Sequence, residues 1–378
     1  MNFDLTEEQQ QLADSLQKYL ANSYGFEQRK AIINSATGWS DTAWTTFADM
    51  GLTAIALPEA DGGFGGGAVD LIAVMEACGE AGVVEPLLDN IGLAGRLLAR
   101  AGNAAQRAAL LPGLIDGSLR LAFASNEPGG RYDLAPVKTQ AQAQGDGWRL
   151  NGDKCVVVGA AAAHWLIVSA RTSGAAGDAD GVSLFLVDRQ AAGVALNPSR
   201  TVDGQRAADL HLVDVALAPN ALLGPLGGAM PFIEEAVDFA TALLCADAVG
   251  AMKSANEATL EYLKTRKQFG VPIASFQVLQ HRMVEMVMTT EQARSMAILA
   301  ASKVDAGGDP QARALAVSAA KIKIADAARL VSQEAVQLHG GMGMTEELKV
   351  SHTFRRLTML AQRFGDADHH LERYAALS

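Results

Sequence analysis

Apolar residues recur at helical spacing from Leu5 to about Ile115. Leu12, Leu16 and Tyr19 fall on one face. Thr6 followed by Glu7, Glu8 and Gln9 reads as an N-cap with an acidic first turn, which the positive end of a helix favours. Between about Leu121 and Val215 the period shortens to that of strands. Trp148–Leu150, Lys154–Val158, Val182–Val187 and Leu210–Val215 are the runs, punctuated by Gly, Asp and Pro. Asn151-Gly152, between two such runs, predicts a hairpin turn, because these residues tolerate positive φ. From about Pro231 the helical period returns. One helix is predicted to begin near Asp238 and to stop at Gly270 and Pro272. Further stripes are Phe276, Leu279, Met283, Met286 and then Val317, Ala320, Ile324, Ala327, Val331. The order is therefore a helical block over 1–117, a strand block over 118–224 and a long-helix block over 225–378.

Length agrees with two or three packed units. Hydrophobic residues at 49% and charged residues at 19% are the mixture of a packed chain rather than a disordered one. The net charge of −11, with no long basic stretch, argues against a nucleic-acid partner, and an anionic ligand would need local donors. Cys78, Cys155 and Cys245 form no CxxC pair or Cys/His cluster, so no metal or disulfide framework is predicted. Met1-Asn2-Phe3-Asp4 lacks a signal-peptide apolar core, and charges break the Ala-rich stretches before roughly 18 residues. A cytoplasmic chain without a membrane span is expected.

Three Gly-containing segments are candidates for chemistry. Asp61–Gly67 is glycine-rich, but no GK[ST] follows, and it reads as a flexible inter-helix turn. Thr265-Arg266-Lys267-Gln268-Phe269-Gly270 places an Arg beside an aromatic at a helix end. That pairing suits a phosphate next to a flat ring, and equally a basic helix terminus with a Gly cap. Gln337-Leu338-His339-Gly340-Gly341-Met342-Gly343 follows a long helix. Its glycines would let the backbone approach a pyrophosphate, but no strand precedes them, which excludes a nicotinamide-type turn. His339, alone beside a Gly turn, reads as structural more readily than catalytic. The Met283–Met296 segment reads as core or subunit contact.

Arg266–Gly270 and Gln337–Gly343 resemble the two C-terminal FAD signatures of acyl-CoA dehydrogenases, and their spacing is similar. Phe3-Asp4-Leu5-Thr6-Glu7-Glu8-Gln9, Gly51-Leu52 through Pro58-Glu59, Glu127-Pro128 and Asn151-Gly152-Asp153-Lys154 agree, so the resemblance covers essentially the whole chain. Tyr262–Pro272 and Phe364–Leu371 resemble the small-subunit branch of pimeloyl-CoA dehydrogenase. The resemblance implies a mainly α fold with a β-barrel middle domain: an α-helical domain, the barrel, and a C-terminal four-helix bundle. It implies FAD, with Arg266 and Phe269 reaching the cofactor of an adjacent protomer and Gln268 among the cofactor-binding residues. Gln337, Gly340, Gly341 and Gly343 would hold its adenosine pyrophosphate end. It further implies an acyl-CoA substrate, electron-transferring flavoprotein as acceptor, and a homodimer, a homotetramer or a heteromer with a large acyl-CoA dehydrogenase subunit.

The departures from the family gather at the chemistry. The reaction needs a carboxylate to take the α-proton while the β-hydrogen leaves as hydride. Gly365 stands where many members carry that Glu, after Phe364 in the place of Tyr. Ala240 stands at the second known location. Asp366, one residue on, is the candidate base, and also a natural N-cap for the helix that follows. His369 and His370 are minor candidates. On the flavin side the usual Thr is Asn126, still a donor. The usual Trp-Ile-Thr is Val156-Val157-Val158, and the usual Gly-Ser-Asp is Arg131-Tyr132-Asp133. Arg131 is a candidate for a substrate carboxylate or phosphate, or else a plain loop residue. Two readings stand: a self-sufficient dehydrogenase using Asp366, or a half-site subunit of a heteromer. A structural FAD- or acyl-CoA-binding subunit and an oxygen-using flavoenzyme are further alternatives.

Overall fold

The computed structural model describes residues 6–378. Met1–Leu5, on which the reading of the N-terminus and the start of the opening motif rest, lie outside the described residues. The first block holds α1 (Glu7–Ser23), α2 (Phe26–Asn34), α3 (Asp41–Asp49), α4 (Ala68–Ala81), α5 (Arg96–Ala101) and α6 (Ala104–Ile115), with a π-helical stretch at Leu88–Gly95. The strands are β1 (Leu121–Ala124), β2 (Gln140–Gln144), β3 (Gly147–Val158), β4 (Trp165–Arg171), β5 (Val182–Asp188), β6 (Val194–Arg200), β7 (Arg206–Leu217) and β8 (Leu222–Leu223). Then come α7 (Met230–Thr265), a hairpin of β9 (Lys267–Gln268) and β10 (Val271–Pro272), α8 (Gln277–Ala306), α9 (Pro310–His339), α10 (Lys349–Gln362) and α11 (Ala367–Leu377). No helix among the described residues is long and apolar enough to cross a membrane.

The chain divides into two compact units. One joins the residues up to Ala31 with Gly67–Val83 and Thr241–Ser378; the other joins Ile32–Gly66 with Val84–Ala240.

In the second unit the barrel strands run in the order β6-β7-β3-β2-β4-β5-β8, with β1 added in parallel beside β4. Their inward residues, among them Leu150, Leu166, Val168, Phe185, Leu210 and Val215, form one buried cluster. The expected Asn151-Gly152 turn is not a turn. β3 passes straight through it, and Gly152 lies at a register shift against β7. A Cβ there would come within 2.6 Å of Thr139 Cα, so the glycine serves a close backbone approach. The tight turn lies earlier: Gln144 pairs with Gly147 around Gly145-Asp146, a dipeptide that also tolerates positive φ. The Gly-rich loop is tied to the chain before it. Gly63, Phe64, Gly65 and Gly66 each donate a backbone hydrogen bond back into Ala54–Pro58.

In the helical unit, Thr6 caps α1 in a reciprocal box with Gln9, as its sequence predicts. The N-terminus of α4 is capped from far away: Asp305, at the end of α8, accepts from the N–H groups of Ala68 and Val69 at 2.7 and 2.8 Å. The α9 stripe of Val317, Ala320, Ile324, Ala327 and Val331 is buried, and α9 packs on α8, α10 and α11. α7 begins at Met230, eight residues before the expected Asp238. Pro231 is tolerated in a first helical turn, where its missing N–H costs no bond.

Candidate functional site

Three loops of the helical unit carry the candidate cofactor and catalytic residues. The β9–β10 hairpin turns through Phe269 and Gly270, with φ of 53° and 83°. Positive φ at both central residues is the two-residue turn that matches strand twist. An aromatic held there is uncommon and points to a demand on the ring. Phe269 is 91% exposed; Arg266 and Gln268 are exposed beside it. The root of this hairpin is fixed, since the Arg266 N–H donates to Tyr262 O at 2.8 Å and the Arg266 carbonyl accepts from Ile273 N–H at 2.9 Å.

The second loop closes α9. Gln337 is exposed, and Gly340, at φ 61°, and Gly341 look onto open space: an added Cβ meets nothing within 4 Å. Gly343 is the reverse, buried and folded onto the helix end, 2.6 Å from Val336 O and 3.0 Å from His339 Cβ at the position of a Cβ. Bare backbone at Gly340-Gly341 together with an exposed Arg and an exposed ring fits an adenosine pyrophosphate. His339 is buried. Its Nδ1–H donates to Ala335 O at 2.8 Å, and burial lowers its pKa below the ordinary value, so it stands as a neutral imidazole.

The third loop joins α10 to α11. Phe364 and Gly365 have φ of 59° and 116°. Lys321, fully buried in α9, donates to Ala361 O at 2.9 Å and Gly365 O at 2.6 Å. Burial pushes this amine down to about 8. His370 is buried beneath, its Nε2–H donating to Phe364 O at 3.0 Å, with Ser318 at its other nitrogen. Asp366 caps α11, accepting from His369 N–H at 2.9 Å. It also lines an open groove of about 430 Å³ with Arg329, Phe354, Leu357 and Thr358. At Gly365 a Cβ would stand 2.5 Å from His369 Cδ2 and 2.7 Å from His370 Nε2. Gly365→Ala is therefore expected to cost about 1–3 kcal/mol through both φ and crowding, read as a fall in the thermal midpoint. At the other family location for the base, Ala240 is fully buried in α7.

The barrel unit carries the remaining candidates. Asn126 is exposed, and its carbonyl accepts from Cys155 N–H at 2.9 Å. The next residue, Val156, is a β-branched residue at φ 50°, 49% exposed, sitting where β3 loses register against β7 between Lys154 and Val157. A bulge of this kind re-aims backbone and side chains at the rim of a sheet. Arg131 is exposed at φ 49°.

Below this rim lies an ion pair the sequence reading passed over. Lys154 donates to Glu127 Oε1 at 2.7 Å, to Ser169 at 3.0 Å and to Ser125 O at 3.3 Å. Glu127 also accepts from the N–H groups of Lys138 and Thr139. These bonds hold the segment that bears Asn126. Lys154 was visible as a charge at the head of the Lys154–Val158 strand run, as Lys321 was beside the apolar stripe of α9. The bulge at Val156 left no such signal.

Three family models match consecutive parts of the chain: the acyl-CoA dehydrogenase N-terminal domain over residues 6–118, the middle domain over 122–215 and the C-terminal domain over 229–376. Acyl-CoA dehydrogenase FadE12 of Mycobacterium tuberculosis is 31% identical over 372 residues, 95% of this chain and 93% of that protein. Among solved structures, the Tcur3481-Tcur3483 steroid ACAD is 31% identical with a TM-score of 0.87, covering 98% of this chain and 97% of that one. The ChsE4-ChsE5 complex from Mycobacterium tuberculosis is 25% identical, with a TM-score of 0.90 over 100% and 98%.

Proposed function

We propose, on the premise that this chain belongs to the acyl-CoA dehydrogenase family, that it serves FAD-dependent α,β-dehydrogenation of an acyl-CoA as one subunit of a heteromeric enzyme. Its own part is to lend Arg266, Phe269 and the Gly340-Gly341 backbone to FAD on a partner subunit that carries the catalytic carboxylate. One observation carries this reading: a side chain at Gly365 has neither the φ nor the space to stand there, and Ala240 offers none. The names of the two structural relatives, a two-component steroid ACAD and a two-component complex, agree with it. The division at 1–117, 118–224 and 225–378 goes with this proposal.

When bound, FAD supplies the acceptor for the β-hydrogen, taken as hydride. The chain's own residues bind and orient. Arg266 would pair with the pyrophosphate charge, the exposed Phe269 ring would offer the cofactor an apolar face, and the bare Gly340-Gly341 N–H groups would donate to phosphate oxygens. Gln268, Gln337 and Gly343 shape those loops. Asn126 offers an amide donor at the barrel rim.

A second reading keeps Asp366 as the base of a self-sufficient enzyme, favoured by its place on an open groove. The substrate proposed from the resemblance is a dicarboxylyl-CoA such as pimeloyl-CoA, with Arg131 for the distal carboxylate; the steroid relative offers a bulkier acyl group as the competitor. Electron-transferring flavoprotein is the proposed acceptor.

The test is a flavin-to-protein ratio on the chain purified alone, followed by anaerobic bleaching with a panel of acyl-CoAs. The half-site reading expects little flavin and no bleaching until a partner is added, and Asp366→Asn without effect on turnover of the reconstituted pair. One flavin per chain, with bleaching abolished by Asp366→Asn, would establish the self-sufficient enzyme instead.

A further inference from the structure

Tyr262 and His339 lie at the roots of the two loops to which cofactor binding is ascribed. Their rings stack, with centroids 4.4 Å apart and planes 28° from parallel. Tyr262 is the residue whose carbonyl receives the Arg266 N–H, so its position sets where the hairpin leaves α7. His339 is the last residue of α9, immediately before Gly340, and Gly343 folds back onto its Cβ. The ring cannot swing freely, because Nδ1–H is tied to Ala335 O. Burial disfavours its charged form, so it is no cation for a phosphate.

We infer that the His339–Tyr262 stack is a clamp that sets the spacing of the two cofactor loops, and that binding of the adenosine pyrophosphate needs the ring at 339 rather than its proton chemistry. A Cβ at Gly340 or Gly341 would meet nothing, and Phe269, 91% exposed, touches only the edge of Phe276 at the far side of its own hairpin, so what relates one loop to the other acts at their roots. Fixing the roots to one another lowers the ordering cost that the ligand would otherwise meet. Both residues are positioning residues, and the inference rests on the reading that these loops hold FAD.

The experiment follows flavin release from the holoprotein, with whatever partner co-purifies, by the rise of free-flavin fluorescence on dilution. Circular dichroism of each variant checks folding. His339→Ala and Tyr262→Ala are each expected to release flavin about tenfold faster. The double variant is expected to be no faster than either single one, since both remove the same contact. His339→Phe, which keeps a stacking ring, is expected to behave as the parent. If His339→Ala does not fold, Tyr262→Leu carries the same expectation. Single variants within about twofold of the parent, a double variant at the product of the singles, or a His339→Phe as leaky as the Ala variant would each overturn the clamp. Arg266→Ala separates the two levels. Faster release with Arg266→Ala but not with His339→Ala removes the clamp alone; no effect of Arg266→Ala removes the loop assignment and the clamp with it.

Discussion

Lys154→Met is expected to destabilise the barrel unit by about 3–5 kcal/mol, because it strands a buried carboxylate. The side chain of Lys154 is wholly buried and that of Glu127 nearly so. Burial alone would pull Glu127 above the carboxylate range. The charge of Lys154 and the hydrogen bonds from Lys154 and Thr139 reverse that and leave it below its ordinary value. Burial likewise draws Lys154 down to about 8 against the pull of Glu127, so the pair is ionised at neutral pH. The sign of the pH dependence separates parent from variant. In the parent, with Glu127 depressed, its stabilisation is present above the unfolded carboxylate pKa and is lost as pH falls through the folded value. In Lys154→Met, Glu127 has lost its cation and keeps its burial, so its pKa rises and the variant gains stability on acidification. Urea unfolding between pH 7 and pH 5 reads the gain of the variant, and its continuation below the unfolded carboxylate pKa of about 4.5 reads the loss in the parent. Adding Glu127→Gln to Lys154→Met is expected to restore part of the loss, since Gln Oε1 still accepts a backbone N–H. A variant no more sensitive to pH than the parent would show that Glu127 finds water when Lys154 is gone.

Acid is expected to weaken the helical unit through His370. Burial, then the charge of Lys321, lower its pKa to about 3. A folded pKa below the unfolded one means that the unfolded chain binds the proton first. Stability is therefore complete above about 6.5 and falls as pH drops towards 3, by an amount on the order of 4 kcal/mol at the bottom of that window. His370→Phe is expected to flatten this slope at some cost at pH 7, where the bond to Phe364 O is lost. Unfolding followed from pH 7 to pH 4 in parent and variant tests it. Equal slopes would place the acid sensitivity in other groups.

Much of the block order was legible because long helices and alternating strands announce their own periods. The α9 stripe and the Thr6 cap were read residue by residue. Asn151-Gly152 misled, since the same local chemistry that favours a turn also serves a strand that passes close to another backbone, and only the β3 pairing with β7 decides between them. The return of the helical period at about Pro231 was legible, but the start of α7 was set at Asp238 rather than Met230, because Asp is a favoured cap while a Pro in the first turn carries no cap signal of its own. At the site, the Phe269 and Gly340-Gly341 loops were legible as glycine and aromatic at helix ends. What Asp366 does is a matter of where one carboxylate points, and its cap on α11 competes with any chemistry. The buried cations Lys154 and Lys321 were in plain view within apolar runs, but their acceptors lie 27 residues away in Glu127 and 40 and 44 residues away in Ala361 and Gly365.

The cap that Asp305 places on α4 fixes an order of events during synthesis. The two ends of that contact are separated by 237 residues, and the whole of Val84–Ala240 is made between them. As the chain leaves the ribosome, the α4 segment passes that entire interval without the carboxylate that caps its Ala68 and Val69 N–H groups in the finished fold. The helical unit, assembled from three separate stretches, is the last to be completed, whereas the barrel unit has all its material at Ala240. A nascent chain halted before α8 therefore holds all the material of the barrel unit, while α1 and α4 have each other but not the long helices that complete their unit, and these helices are the part a chaperone or protease would meet.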